Sequence, residues 1–183
     1  MHRRADAPRR ARGLVLVELL VAVGVLVVLA TLALPSFAAI SERLKLRTAV
    51  QALTSSLYAA RAEALKRGGR VALGRDESAS CGSANEDRAQ WRCGWVLFAD
   101  EDEDGTREPT DELLQSWQPP PGIDVIQTSK RVVLRLNAWG QFNGLGALSF
   151  VLRSRTDAEA VSIICISSGG RLQSWTGVDK CPT

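Results

Sequence analysis

Residues 12–34 read Arg-Gly-Leu-Val-Leu-Val-Glu-Leu-Leu-Val-Ala-Val-Gly-Val-Leu-Val-Val-Leu-Ala-Thr-Leu-Ala-Leu. From Leu14 to Leu34 this is a run of 21 residues with one charge, Glu18. As a helix, at ~1.5 Å per residue, it spans about 31 Å, the hydrocarbon thickness of a bilayer. Arg3, Arg4, Arg9, Arg10 and Arg12 precede the run and no comparable basic cluster follows it at once. The N-terminus is therefore expected to stay cytoplasmic, with the remainder exported after a single membrane pass.

An ordinary secretory signal, cut near Ser36-Phe37-Ala38, is the competing reading. Two features oppose it. The apolar run exceeds the ~7–15 residues of a signal core. Glu18 also stands inside the run, where a carboxylate costs up to ~2.5–3.5 kcal/mol. An acid in that setting calls for a partner, and the fitting partner is an amine.

Composition narrows the chemistry further. The chain has 183 residues, 45% of them hydrophobic, and its single histidine is His2. Ser-His-Asp catalysis, Cys-His nucleophiles and His-ligated metals inside a folded domain are thereby excluded. No Gly-x-Ser-x-Gly elbow and no paired-carboxylate cleft is evident, so no enzymatic activity and no small-molecule substrate is expected. The net charge of +3 is uneven: residues 1–13 hold five arginines against Asp6, leaving 18 basic and 19 acidic residues, or −1, in the rest.

The segment Arg12-Gly13-Leu14-Val15-Leu16-Val17-Glu18-Leu19 resembles the type IV prepilin signature: a short basic leader, Gly, and Glu as the fifth residue beyond it. The resemblance implies that a prepilin peptidase cuts between Gly13 and Leu14 and methylates the new N-terminus at Leu14. It also implies that Glu18 serves assembly. In a bundle of apolar helices its carboxylate neutralises the terminal ammonium of a neighbouring subunit, and each charge otherwise lies unpaired in a low-dielectric core.

Beyond the run, Pro35 is expected to kink or loosen the helix. Phe37, Ile40, Leu44, Val50, Leu53, Leu57, Ala60 and Ala64 then recur mostly at steps of three and four, which predicts an amphipathic helix to about Lys66, stopped by Gly68-Gly69. The organisation is thus leader 1–13, membrane and filament-core helix 14–34, amphipathic half 35–67, and a β-rich globular domain 68–183. Eight strands are predicted there, at 71–73, 95–99, 113–117, 125–128, 132–136, 148–153, 161–166 and 172–175. Ser168-Gly169-Gly170 turns the last pair into a hairpin. The expected class is α+β, a pilin-like long helix packed on an antiparallel sheet. Trp91, Trp95, Trp117, Trp139 and Trp175 suggest a stacking platform or core packing, and core packing is the preferred reading.

Cys81, Cys93, Cys165 and Cys181 all fall on the exported side, without a Cys-x-x-Cys metal pattern. Pairing of neighbours, Cys81–Cys93 and Cys165–Cys181, is the simplest of three connectivities, and each closure stabilises by roughly 3 kcal/mol in the chain-entropy model. Residues 100–112 hold eight acids against Arg107, a net of −7. Asp100, Asp102 and Asp104, followed by Gly105, match the opening of a calcium loop, with Asp111 at its twelfth position. A solvated turn is the preferred reading and calcium the alternative.

Gly94-Trp95-Val96-Leu97-Phe98-Ala99-Asp100, Asn137-Ala138-Trp139-Gly140, Gly146-Ala147-Leu148-Ser149-Phe150 and Gly170-Arg171 narrow the resemblance to the GspH/FimT branch of pilin-like proteins. It implies a minor pseudopilin of type II secretion, or a minor pilin of the type IV pilus, with partners among other pilin or pseudopilin subunits. The expected location is the bacterial inner membrane, with the C-terminal domain in the periplasm. The alternative implied by the same resemblance is a minor pilin that contacts double-stranded DNA during uptake through a Gly-Arg-x-Arg segment. Here that segment reads Gly170-Arg171-Leu172-Gln173. Lys130, Arg131, Arg135, Arg153, Arg155, Arg171 and Lys180 lie on or beside the final strands; solubilising surface charge is the preferred reading and convergence on one phosphate-binding face the alternative.

Overall fold

The computed structural model describes residues 12–77, 87–144, 146–167 and 169–182. Its first element, α1 (Arg12–Arg67), is continuous through Pro35. The chain divides into two compact units, Met1–Ile40 and Ser41–Thr183. In the first, apolar side chains from Leu16 to Leu29 are 49–64% exposed all round the helix. Among the described residues no helix is long and apolar enough to cross a membrane.

In the second unit the helix buries Leu46, Ala49, Leu53, Leu57, Ala60 and Ala64. This stripe departs from the expected one at its start, where Leu44 is exposed and Leu46 and Ala49 take the inner face. Phe37 and Ile40, in the first unit, are also exposed. The helix stops as the glycines require. Gly68 and Gly69 take φ of 70° and 92°, and the Gly69 N–H donates to the Ala64 carbonyl at 2.8 Å, the six-to-one bond of a Schellman cap. Lys66 and Arg67 complement the helix dipole in the last turn.

Eight strands follow: β1 (Val71–Arg75), β2 (Trp95–Ala99), β3 (Leu113–Trp117), β4 (Ile123–Gln127), β5 (Val133–Leu136), β6 (Leu148–Ser154), β7 (Val161–Ile166) and β8 (Leu172–Thr176). They form two four-stranded antiparallel sheets, ordered β3-β2-β1-β5 and β4-β6-β7-β8, in keeping with the expected helix on antiparallel β-structure. The switch follows Pro119-Pro120-Pro121-Gly122, which cannot donate ladder hydrogen bonds at its prolines and lets β4 begin a new sheet. Ala89–Trp91 bridges the two sheets by lying against β4: the Trp91 N–H donates to Val125 O and the Gln127 N–H to Ala89 O, each at 2.7 Å.

One core unites the helix stripe with both sheets. Trp91 and Trp95, both fully buried, anchor it. Trp91 meets Phe150 edge to face at 5.1 Å and donates to Arg131 O at 3.0 Å. Trp95 donates to Ser56 Oγ at 2.8 Å, and that hydroxyl donates to Leu53 O. Buried indole N–H groups thus find partners, as burial demands. Trp117 is half-buried, Trp175 is 42% exposed and Trp139 80%.

Candidate functional site: the assembly helix and its charged surroundings

Glu18 is helical and exposed, and it is the sole ionisable residue from 16 to 31. Gly13 and Leu14 belong to the first turn of α1, and residues 1–11 of the expected leader lie outside the described residues. A carboxylate on a helix that is otherwise apolar on every side has no countercharge of its own within that segment. A helix that is apolar all round gains stability from burial against other apolar surface, and a carboxylate buried with it is costly unless paired.

The acidic loop joins β2 to β3 and is tied to the end of α1. Arg67 Nη1 donates to Glu112 at 2.8 Å and Arg70 Nη1 to Glu101 at 2.9 Å. Asp100, Asp102 and Asp104 bring carboxylate oxygens within 4.8 Å of one another. Asp111 does not join them: its carboxylate accepts the Glu108 N–H at 2.7 Å, so the four-ligand set expected from spacing is not assembled. Asp100 is buried, accepts the Gly105 N–H at 3.1 Å and faces Arg135 Nε at 4.0 Å. Burial pushes its carboxyl up, against the pull of Gly105 and Arg135.

The basic residues are spread over both sheets, although register places Arg153 and Arg171 on the same outer face of the second. Arg135 lies on β5 of the first sheet beside Asp100. Lys130 and Arg131 sit in the β4–β5 turn, where Arg131 Nη2 donates to Gly144 O at 3.1 Å. Arg153 pairs in register with Val161 at one end of β7, whereas Arg171 stands level with Ser167 just past its other end, about 20 Å away along the strand. Arg155 reaches Asp124 at 3.5 Å. Arg153, Arg155 and Lys180 share an open cleft of about 890 Å³ with Asp179, next to Cys181. Arg171 is exposed and donates to Gln173 Oε1 at 3.2 Å, so the residue standing in the second Arg position engages the first.

Cys165 and Cys181 are disulfide-bonded, fastening the C-terminal segment to β7. Cys93 is disulfide-bonded too, and Cys81 lies outside the described residues.

Two long-range polar contacts left no mark in the sequence. Arg61 on α1 donates from Nε to Gly140 O at 3.0 Å, and Glu42 accepts from Ser154 Oγ at 2.7 Å across 112 residues. Glu42 also accepts from Lys45 Nζ at 2.6 Å. Lys45 first, then Ser154, hold the Glu42 carboxyl below its ordinary value of 4.5. A lowered folded-state value stabilises the fold above the unfolded value and loses that contribution as pH falls through the folded one. Glu42→Gln is therefore expected to lower the urea midpoint at neutral pH, with the gap to wild type closing as pH drops below 4.5. A gap that is constant with pH overturns this assignment.

A long helix leading into two antiparallel sheets, with a lone acid on its apolar half, is the architecture of a pilin-type subunit. The sequence profile described as Type II transport protein GspH matches residues 49–170, and the chain belongs to that family. Two crystal structures of the type IV minor pilin FimU from Pseudomonas aeruginosa share the fold. One matches with a TM-score of 0.59 at 17% identity, covering 75% of this chain and 93% of that one. The other gives 0.55 at 16% identity, covering 72% and 93%. No curated protein matches the chain.

Proposed function

We propose that the chain is a structural subunit, a minor pseudopilin or minor pilin, that is cut after Gly13, methylated at Leu14, held in the inner membrane by residues 14–34 and incorporated into a pilus or pseudopilus with other subunits of its type. The observation that carries this reading is Glu18, alone and exposed on a helix that is apolar all round, ahead of a GspH-family domain. Type II secretion and the type IV pilus are both served by this arrangement: the matching family is described as a type II transport protein, and the structures that share the fold are type IV minor pilins. The acidic loop is read as a solvated turn clamped by Arg67, Arg70 and Arg135 rather than a calcium site.

Contact with double-stranded DNA is the alternative. The separation of Arg171 from Arg153 and Arg155 argues for assembly over it, since phosphate contacts strengthen binding when several cations face one backbone. Mass spectrometry of the native protein is expected to show a methylated N-terminus at Leu14. An uncut leader, or trimming beyond Pro35, overturns the reading. A DNA mobility shift at low salt that Arg171→Ala weakens more than Arg43→Ala favours the alternative.

A further inference from the structure

Between Ser41 and Arg67 the exposed positions of α1 fall into two sets. One line steps by four and three residues in alternation from Leu44 through Gln51 and Tyr58 to Leu65, and every residue on it is exposed and uncharged. The exposed positions off the line, Arg43, Arg47 and Lys66, are all basic. A mean step of ~3.5 residues is the spacing of a helix–helix seam, in which a second helix follows the line without drifting off it. Leu44, Tyr58 and Leu65 are more than half exposed on that seam.

The seam ends beside Trp139. The 137–140 turn lies across the last turns of α1: Arg61 bonds Gly140 O, a Cβ at Gly140 would stand 3.4 Å from Leu65 Cγ, and one at Gly69 would stand 3.1 Å from Ala138 N. Asn137 pins the turn, its Oδ1 accepting the Trp139 N–H at 3.0 Å and the Gln141 N–H at 2.9 Å. The indole is nevertheless 80% exposed, in contrast to the buried Trp91 and Trp95. A large amphipathic ring on a fixed backbone loses little entropy on docking, the property of an interface hot spot.

Resting on the assembly reading, we propose that the uncharged seam, capped by Trp139, receives the apolar helical half of a neighbouring pilin-type subunit, with Trp139 as its anchor. The chemistry of that occupant is displayed by this chain, whose side chains from Leu16 to Leu29 are apolar and uncovered all round apart from Glu18. Lipid is a poor occupant, because Leu65 lies about 36 Å along the helix from Ser41, more than the thickness of a bilayer core. Nucleic acid is a poor one too, because the acidic loop is fastened at the same end through Arg67 and Arg70.

The test uses the full chain in its host membrane with the photo-crosslinker p-benzoylphenylalanine in place of Trp139, and in a control in place of Trp175 on β8. Irradiation is expected to join position 139, but not position 175, to the segment equivalent to 16–31 of a pilin-type subunit, identified by peptide mass spectrometry. Trp139→Ala is expected to reduce recovery in sheared filaments about tenfold, Trp139→Phe to restore part of it, and both to retain the Cys165–Cys181 bond. Cross-links only to lipid, nucleic acid or a globular domain overturn the docking proposal, as does wild-type recovery of Trp139→Ala. Absence of the wild-type chain itself from filaments overturns the assembly reading beneath it.

Discussion

Glu18→Val is expected to leave the Ser41–Thr183 unit folded and leader cleavage intact, yet to reduce the chain in filaments by about a hundredfold or more. The carboxylate stands on a helix whose other described side chains from Leu16 to Leu29 are apolar and exposed. When such a helix is buried among its like, an uncompensated charge costs several kcal/mol. After cleavage at Gly13 the new ammonium lies one helical turn before Glu18, on the same chain. In the proposed assembly a staggered neighbour would bring the two charges together between chains. Valine removes the acid and leaves the neighbour's amine buried without a partner, a loss of ~3–5 kcal/mol. At ~1.4 kcal/mol per factor of ten, that is about a hundredfold to about four-thousandfold in the assembly constant. Glu18→Gln, which keeps the shape and can accept a hydrogen bond, is expected to lie between. Recovery of Glu18→Val at wild-type level in sheared material, with its N-terminus at Leu14, sinks the pairing.

The elements of this fold were legible because each is specified locally. All eight strands fall where short apolar or alternating runs end at turn residues, and α1 stops at the glycine pair that supplies two positive φ angles. Sheet membership was not legible. β1 pairs with both β2 and β5, so the chain leaves the first sheet for β4 and returns to it, a choice decided by contacts far apart in sequence. The inner face of α1 was misplaced at its start, where Leu44 was expected inside and Leu46 and Ala49 stand there instead; Ala60 and Ala64 are buried as the spacing predicts, while Leu44, Tyr58 and Leu65 face outward. Those large exposed residues are the ones an assembly surface needs. The placement of the basic residues depends on register, which sets Arg153 and Arg171 on one face but at opposite ends of β7. The bond between Glu42 and Ser154 spans 112 residues and no motif announces it.

Gly94→Ala is expected to be the most damaging single-methyl change in the globular unit, destabilising it by about 4 kcal/mol, out of the ~5–15 kcal/mol that holds a domain together. Gly94 adopts φ of 112°, a region in which any side chain is strained by ~1–3 kcal/mol. Strain is the smaller part. An added Cβ would overlap the backbone carbonyl oxygen of Trp117 and approach Gln118 Cγ at 3.2 Å. A flexible side chain could swing aside, but Trp117 belongs to β3, whose register with β2 sets Trp117 opposite Trp95. On the other side, Gly94 itself is fixed. Its N–H donates to Trp91 O at 3.1 Å, its carbonyl accepts the Asp76 N–H at 2.9 Å, and it stands between the disulfide-bonded Cys93 and the buried Trp95. Relief by moving the backbone would pull Trp95 from its bond to Ser56 at the centre of the core. Gly122→Ala separates the two contributions, because Gly122 has φ of 90° but no atom within 4 Å of the added methyl. That variant is expected to lose only the conformational part, about 1 kcal/mol. Urea unfolding of the full chain in detergent, followed by tryptophan emission, reports both, since Trp91 and Trp95 move from core to solvent. Equal losses in the two variants mean that the close approach of β3 does not decide the identity of residue 94, and that positive φ alone accounts for the glycine.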